Sequence, residues 1–177
     1  MLAVATALSP PPQAVPAATF GACYQAHAPR VFRWALRFGC GSRPFAEDLT
    51  HDVFLKLLQE LPKLDRTEDV GGWLYRVTAN LALSRLRRER SFLARLERAW
   101  SSANATSATP EERVLLHDDA RRAAKALEAL PAKERVVLSM KVLDGKSQRE
   151  IAEALSMSEG YVSKVVSRAW ERLNVQG

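Results

Sequence analysis

The chain has 177 residues, of which 47% are hydrophobic and 26% are charged, and this composition fits one compact domain or two small ones. No apolar run is long enough to span a membrane, so membrane insertion is not expected. Two cysteines, Cys23 and Cys40, are too few for a disulfide framework and indicate a reducing compartment such as the cytoplasm. The net charge of +6 makes a polyanion the first partner to consider.

The basic excess is unevenly distributed along the chain. Residues 1–43 carry a net charge of +4, residues 44–70 carry −4 and residues 71–100 carry +5. Residues 101–110 have no charged side chain, and residues 111–177 sum to +1. An acidic segment beside an arginine-rich one indicates two distinct partners, or two faces of one large partner.

The first 100 residues are predicted to form a tail and three helices. Residues 1–19 contain no charge and four prolines, which predicts a disordered tail and gives no basic start for a signal peptide. Helical periodicity then predicts helices over residues 19–38, 45–61 and 73–90. Gly39-Cys40-Gly41 separates the first two, and Pro62 ends the second.

The segment SSANATSATP, residues 101–110, predicts a flexible linker between domains over residues 20–100 and 111–177. After it, Thr109 and Pro110 predict a helix start, with the helix running to about Leu130. Pro131 is predicted to open another helix that ends near Val142. Since no segment predicts a strand, we expect an all-α fold of two small helical domains.

The clearest pattern lies near the C terminus. Ser147 and Glu150 form a capping box that predicts a short helix, and Ser158 can cap a longer one. Two helices joined by so short a turn indicate a helix-turn-helix, although an ordinary helical hairpin has the same spacing. The predicted inward face of the longer helix comprises Val162, Val166, Ala169 and Leu173. Outward side chains that can reach a phosphate or a base edge favour DNA binding: Tyr161, Lys164, Arg168 and Arg172.

The third helix carries a second polar face. Its members recur at approximately helical spacing and are Arg76, Asn80, Ser84, Arg87 and Arg88. Arginines neutralise phosphates, Asn80 can hydrogen-bond a base, and Trp73 and Tyr75 can stack on an unpaired base. The alternative is a solvated basic face with Trp73 in the core.

Three segments, in this order, resemble the extracytoplasmic-function (ECF, group IV) sigma factors of bacterial RNA polymerase. AEDLTHDVFLKLL, residues 46–58, is similar to the family segment that docks on the coiled coil of the polymerase beta-prime clamp. GGWLYRVTANLALSRLRRER, residues 71–90, is similar to the segment that melts and reads the minus-ten promoter element. Residues 126–173 are similar to the domain whose helix-turn-helix reads the minus-thirty-five element.

The resemblance implies an alternative sigma factor rather than an enzyme. Its implied partners are promoter DNA, core RNA polymerase through the beta-prime clamp and beta flap, and an anti-sigma factor. The implied polymerase-docking residues are Asp48, Asp52, Phe54 and Leu57, of which Phe54 and Leu57 fit a core role equally well. The implied minus-ten residues are Trp73, Arg76, Asn80, Ser84, Arg87 and Arg88. The implied minus-thirty-five residues are Ser158, Tyr161, Ser163, Lys164, Val165, Arg168 and Arg172.

The chain departs from the family pattern in the reading helix and in the docking segment. Val165 stands where the family usually has an arginine, and we hypothesise that Tyr161 and Val165 contact thymine methyl groups instead. In the docking segment, His51 replaces a common glutamine and Leu58 a common tryptophan.

Other functions receive less support from the sequence. No catalytic motif is present, and no cofactor is expected. One alternative is a stand-alone helix-turn-helix regulator, which would have no use for the acidic second helix. Another is a helical adaptor that binds protein and no nucleic acid, in which the arginines would serve only to keep the protein soluble. Cys23 and His27, with Cys40 and His51 nearby, could form a metal or redox sensor, but small buried thiols and a partly exposed histidine are favoured, so no metal is expected.

Overall fold

The computed structural model describes residues 16–61, 69–99 and 118–175. These residues form helices joined by short turns, and no strand runs through them. The prediction of an all-α fold is therefore confirmed. The predicted tail over residues 1–19 is wrong at residues 16–19, which begin the first helix, and its residues 1–15 lie outside the described residues. The linker over residues 101–110 and the helix start at Thr109 are predictions that also lie outside them.

In the described residues 16–61 and 69–99, the first domain has three helices: α1 (Pro16–Phe38), α2 (Arg43–Glu60) and α3 (Val70–Ala99). The predicted helices match in position, but α3 begins before Trp73 and continues well beyond Arg90. It continues because the following segment, SFLARLERA, consists mostly of good helix formers and contains neither glycine nor proline.

The turn from α1 to α2 uses left-handed backbone at two consecutive residues. Cys40 has a φ of 53° and Gly41 a φ of 86°, a region that glycine enters without steric cost. Gly39 allows a close approach of the helices, because a Cβ there would lie 2.5 Å from the Phe45 ring. Ser42 then caps α2, its hydroxyl accepting from the Phe45 N–H at 3.4 Å. The chain thus reverses tightly and packs α2 against α1.

The core of the first domain lies between its three helices. Its largest fully buried side chains are Val31, Phe38, Leu49, Val53, Leu57 and Leu74. The buried residues of α2 recur every three or four positions, so one face of the helix is covered. Trp34 and Tyr75 add an edge-to-face contact between α1 and α3, with ring centroids 4.9 Å apart.

In residues 118–175, the part of the second domain that the structure describes, there are four further helices: α4 (Asp118–Ala129), α5 (Ala132–Val142), α6 (Gln148–Leu155) and α7 (Glu159–Val175). The predicted capping box opens α6: the Ser147 hydroxyl accepts from the Glu150 N–H at 3.2 Å, and the Glu150 carboxylate accepts from the Ser147 N–H at 2.8 Å. Ser156, with a φ of 53°, ends α6 in the left-handed region. Ser158 caps α7 by accepting from the Tyr161 N–H at 3.3 Å. The short helix, the tight turn and the longer helix are those of the predicted helix-turn-helix.

The two domains pack directly against each other. Helix α3 packs on α5 and α6, helix α1 packs on α5, and buried residues of both domains join one hydrophobic cluster. Hydrogen bonds also join the two domains. Arg37 and Tyr75 donate to the Asp144 carboxylate, and the Asn80 amide donates to the Ala154 carbonyl. Nothing in the sequence pattern signals this packing.

Candidate nucleic-acid interface

A polar stripe runs along α3, and we call it the α3 stripe. Its members are all exposed and are Arg76, Asn80, Ser84, Arg87 and Arg88. Spacings of three and four residues place them on one side of the helix, over a length of about 18 Å. Three of the five side chains are guanidinium groups, which stay charged at any physiological pH. The α3 stripe can therefore neutralise several phosphates of a nucleic-acid strand.

The aromatic residues at the beginning of α3 have mainly packing roles. Trp73 is half-buried against the hydrophobic cluster, so part of its ring remains accessible. Tyr75 is 7% exposed and lies against Trp34, so the idea that it stacks on an unpaired base is wrong for this conformation. Burial and the neighbouring carboxylate of Asp144 raise the pKa of Tyr75, which keeps its hydroxyl protonated as a hydrogen-bond donor.

Asn80 lies in the first half of the α3 stripe, and its amide nitrogen already has two acceptors. Its Nδ2 lies 2.9 Å from the Arg76 carbonyl oxygen and 2.8 Å from the Ala154 carbonyl oxygen. An amide nitrogen carries two hydrogens, so both donors are used. The second acceptor belongs to α6 in the other domain.

The acidic residues of α2 face the flank of the α3 stripe. The Nη2 atom of Arg85 lies 3.3 Å from an Asp48 carboxylate oxygen and 3.7 Å from an Asp52 oxygen. The guanidinium also lies over the Phe45 ring, 5.9 Å from its centroid. These contacts tie α2 to α3, while both carboxylates keep a solvent-accessible side.

Two of the predicted polymerase-docking residues are core residues. Phe54 is 3% exposed and Leu57 is fully buried, because both lie on the face of α2 that packs inward with Leu49 and Val53. Leu57 is therefore out of reach of a partner in this conformation, whereas the Phe54 ring, although nearly buried, lines the groove described next. Their alternative core role is the one that the structure supports.

Exposed apolar side chains on α2 and α1 occupy the surface that the sequence assigned to Phe54 and Leu57. Leu55 is 44% exposed, Leu58 is 52% exposed and Tyr24 of α1 is 46% exposed. They line a groove of about 560 Å³ between α1 and α2, which we call the α1–α2 groove. The signal for them was present in the sequence, since His51, Leu55 and Leu58 recur at helical spacing on the side of α2 opposite to its buried face.

The outward face of α7 carries the helix-turn-helix residues. Tyr161, Lys164 and Arg168 are exposed and follow one another at helical spacing, while Ser163 is half-buried and Ser158 is exposed at the cap. We call Tyr161, Lys164 and Arg168 the α7 face. It presents two positive charges and one aromatic ring to solvent.

Val165 does not belong to the α7 face. It is 2% exposed and forms the buried side of the helix with Val162 and Ala169, whereas Val166 is only half-buried. The predicted inward face is therefore confirmed at Val162 and Ala169, and Val166 and Leu173 pack partly buried against the core, but the prediction missed Val165. The hypothesis that Val165 contacts a thymine methyl is wrong as well, because its side chain points into the domain core.

Arg172 is engaged inside its own domain. Its Nε lies 3.1 Å from a carboxylate oxygen of Glu134, whose side chain is only 11% exposed. A buried carboxylate needs such a cation, so the pair joins α7 to α5. The structure thus gives Arg172 a partner inside its own domain, while its side chain remains 58% exposed and its contact with DNA stays a prediction.

Tyr161 is positioned by Lys133 of α5. The Lys133 ammonium donates to the Tyr161 hydroxyl at 2.8 Å and lies 4.8 Å from the ring centroid. This hydrogen bond and the lysine charge lower the pKa of Tyr161. The ring is therefore fixed at the beginning of the α7 face.

Metal ligation finds no support in the described part of the chain, where no group of three or more His, Cys, Asp or Glu side chains is placed to hold an ion. Cys23 is a half-buried free thiol and Cys40 a buried one. Within the same residues, no helix has both the length and the apolar character of a membrane span.

Fold and surface together define a two-domain helical protein with a basic helix in one domain and a helix-turn-helix in the other. Two family models match these domains separately. Sigma-70 region 2 matches residues 23–92, and sigma-70 region 4 matches residues 120–173. The matched ranges contain the α3 stripe and the α7 face respectively.

Curated relatives show the same assignment. The chain is 30% identical over 151 residues to the ECF RNA polymerase sigma factor SigE of Mycolicibacterium smegmatis, covering 83% of this chain and 57% of that protein. It is 27% identical over 139 residues to the ECF RNA polymerase sigma factor SigW of Bacillus subtilis, covering 74% of each. It spans about three fifths of the length of SigE. The chain belongs to the sigma-70 family of RNA polymerase sigma factors, in the ECF group.

Solved structures share the fold. The sigma factor RpoE of Bartonella quintana, crystallised with the anti-sigma factor NepR, has a TM-score of 0.59 at 22% identity, covering 88% of this chain and 94% of that one. CnrH, solved in complex with the cytosolic domain of CnrY, has a TM-score of 0.56 at 23% identity, covering 90% of this chain and 87% of that one.

Proposed function

We propose that this protein is an alternative sigma factor that binds core RNA polymerase in the cytoplasm and directs it to specific promoters. The observation that carries the proposal is the pairing of two faces in one chain: the α3 stripe in the region 2 match and the α7 face in the region 4 match. In this role the protein catalyses no covalent reaction. Its contribution is binding free energy that selects a promoter and stabilises its opened form.

The α3 stripe would contact the minus-ten element. Its arginines suit the phosphates of a separated strand, and the Asn80 amide suits the edge of a base that has left the stack. The accessible part of the Trp73 ring would contribute a stacking surface. We place Arg76, Asn80, Ser84, Arg87 and Arg88 in this role because all five side chains are exposed on one side of α3.

The α7 face would contact the minus-thirty-five element as duplex DNA. A helix of this width fits the major groove, where Lys164 and Arg168 can donate to phosphates or to base acceptors. Tyr161 would lie at the N-terminal end of the helix, and the exposed Ser158 and half-buried Ser163 would complete the contact.

Polymerase docking would use the exposed side of α2. Asp48 and Asp52 supply negative charge, and Leu55 and Leu58 supply accessible apolar surface beside it. A partner surface that combines basic and apolar side chains matches both features, and the beta-prime clamp of core RNA polymerase is the proposed occupant. The beta flap would in turn be a partner of the second domain.

An anti-sigma factor is the proposed regulatory partner. Support comes from the solved neighbours, in which RpoE is bound by the anti-sigma factor NepR. A protein that covers the α1–α2 groove would compete directly with polymerase for Leu55 and Leu58. A stand-alone regulator or a helical adaptor is less favoured, because neither explains why both sigma-70 regions are present.

The test is reconstitution with core RNA polymerase on a library of genomic promoter fragments. We expect transcription from a defined subset of fragments only when the protein is added, with start sites at a constant distance from a shared sequence. Transcription from the same fragments without the protein, or none from any fragment with it, would contradict the proposal.

Asn80→Ala separates base recognition from docking in the same assay. We expect an altered base preference at one position of the minus-ten element and unchanged affinity for polymerase, because Asn80 lies on α3 and does not line the α1–α2 groove. Leu58→Ala is the matched opposite case, with weaker polymerase binding and an unchanged promoter sequence. Loss of polymerase binding by Asn80→Ala would show that the residue is structural.

A further inference from the structure

Helix α1 carries a row of arginines that the proposed function does not use. Arg30, Arg33 and Arg37 follow one another at spacings of three and four residues, and all three are exposed. This spacing places their side chains along one side of α1, over about 10 Å. None of them belongs to the α3 stripe, and none lines the α1–α2 groove. We call these three residues the α1 row.

The α1 row lines a cleft between the two domains, which we call the interdomain cleft. Its volume is about 540 Å³, a size typical of small-molecule sites. Arg76 of α3 adds a fourth guanidinium group, and Lys146 adds an ammonium group from the second domain. A concave surface with so many cationic groups is suited to an anion.

Two acids of the interdomain cleft are paired with cations of the same cleft. The Asp144 carboxylate accepts from the Arg37 guanidinium. The Glu150 carboxylate accepts from the Lys146 ammonium at 2.7 Å. These two pairs are close to neutral, so they neither attract nor repel an anion strongly.

The other two acids of the cleft are directed elsewhere. Glu153 pairs at 3.0 Å with Arg149, which does not line the cleft. Asp69 lies against the first turn of α3, where a Cβ on Gly72 would come within 2.5 Å of its carboxylate. The acids of the cleft therefore leave part of its positive charge uncompensated.

Three guanidinium groups carry this uncompensated charge. Among the described residues, no acid forms a salt bridge with Arg30, Arg33 or Arg76. Arg30 is oriented by Trp34, whose ring centroid lies 5.0 Å from its Cζ, and this contact leaves its charge in place. A guanidinium group stays charged and its fork of donors matches phosphate oxygens. Bound bidentately, three such forks use about six oxygen atoms, more than one phosphate group carries.

We propose that the interdomain cleft binds a small anion with at least two linked phosphate groups, held by Arg30, Arg33 and Arg76 from the first domain and by Lys146 from the second. This chemistry is shared by inorganic pyrophosphate and by the diphosphate of a nucleotide. The inference goes beyond promoter recognition, with which it shares only Arg76. Because the ligand contacts both domains of the folded chain, it raises the thermal stability of the protein.

The experiment is a calorimetric titration of the full chain at constant ionic strength, in magnesium-free buffer, with pyrophosphate, inorganic phosphate, ADP and adenosine as separate probes. We expect saturable binding of pyrophosphate with one site per chain, weaker binding of phosphate and none of adenosine. Tighter binding of ADP than of pyrophosphate would identify a nucleotide as the ligand. Equal or weaker binding of ADP would identify the inorganic anion.

Arg33→Gln tests the site, because this side chain is exposed and has no acid partner among the described residues. We expect about tenfold weaker binding of pyrophosphate, with the melting temperature of the unliganded protein unchanged. Arg90→Gln is the matched control: it makes the same change of charge at an exposed arginine that does not line the cleft, and should keep the wild-type affinity. Lys146→Gln should weaken binding by a smaller factor, because Glu150 already neutralises part of the lysine charge.

Three results would overturn the site. The first is no saturable binding of either pyrophosphate or ADP. The second is an equal loss of affinity in Arg33→Gln and Arg90→Gln, which would mean general attraction to a basic surface. The third is binding of adenosine as tight as that of ADP, because the phosphate groups would then not be recognised.

Discussion

The two proposed DNA-contacting helices are held by different parts of the molecule. Tyr161 of α7 is positioned by Lys133, a residue of its own domain. Asn80 of α3 is instead held by Ala154, a residue of the other domain. Contacts within a domain persist when the domains separate, and contacts between domains do not. The contact that positions Tyr161 therefore lies within one domain, whereas one acceptor of the Asn80 amide depends on how the two domains are arranged.

The largest expected effect concerns the inner side of α7. Val165→Arg places a charge at a position that is 2% exposed, and we expect a loss of more than about 3 kcal/mol in the free energy of unfolding. Urea denaturation measures it. Ser167→Arg, at an exposed position of the same helix, is the control and should leave stability nearly unchanged. A stable Val165→Arg variant with a new base preference would restore the outward placement of this residue.

The next effect tests whether Arg172 supports α7 from within. Arg172→Gln leaves the Glu134 carboxylate, 11% exposed, without its cation. We expect a loss of about 1 to 2 kcal/mol in the free energy of unfolding, moderated because the arginine side chain is itself partly exposed. Arg149→Gln breaks an exposed pair with Glu153 and should cost at most about 0.5 kcal/mol. Equal losses in the two variants would count against a special role for the Glu134 pair.

A smaller effect tests one arginine of the α3 stripe. Arg88→Gln removes one exposed guanidinium, and we expect the slope of log affinity against log salt for single-stranded DNA to fall by about 0.7, the value for one phosphate on a single strand. Binding titrations at several salt concentrations measure it. Arg43→Gln, an equal change of charge at the beginning of α2, should leave the slope as it is. If both variants changed the slope equally, the effect would come from net charge and not from the stripe.

The smallest effect concerns the capping box that supports the helix-turn-helix. Hydrogen bonds from Lys146 and from Ser147 lower the pKa of Glu150 from 4.5 to about 2. Since the folded pKa is depressed, the stabilisation is fully present above pH 4.5 and is lost as the pH falls towards about 2. Glu150→Gln should therefore flatten the fall in thermal stability over this acidic range, measured by circular dichroism. Glu153→Gln, which lies outside the capping box, should retain the wild-type dependence.

Local features of the fold could be predicted because they depend on neighbouring residues. The caps at Ser147 and Ser158 are recognisable from hydroxyl and carboxylate residues at fixed spacing, and both form as expected. The polar side of α3 could likewise be predicted, because polar residues at helical intervals lie on one face of the helix and that face must point to solvent. Each of these inferences needs no more than one or two helical turns of sequence.

The errors arose where neighbouring residues have the same character. Val165 and Val166 are adjacent and chemically identical, so periodicity alone cannot decide which of them is buried; packing against the domain core decides it. On α2, Phe54 and Leu55 present the same difficulty, and the family pattern favoured the one that proved to be buried. A shift of one residue turns a helix position by about 100°, enough to exchange core and surface.

The interdomain contacts lay beyond sequence reasoning for another reason. Asp144 occupies an ordinary turn, and its partners Arg37 and Tyr75 are 107 and 69 residues away. No periodicity connects such positions. Only the packing of α5 and α6 on α1 and α3 shows why the turn carries a buried acid.

The two hydrogen bonds of the Asn80 amide have a consequence for selectivity. Under the proposed function, a base that accepts from Asn80 Nδ2 would take the place of the Ala154 carbonyl, so the number of hydrogen bonds donated by Nδ2 would be the same before and after. The contact then adds little to overall tightness. Under the proposed function, the free energy of this contact would depend on how much better an acceptor one base offers than another, so Asn80 would discriminate between bases and the neighbouring arginines would supply the affinity.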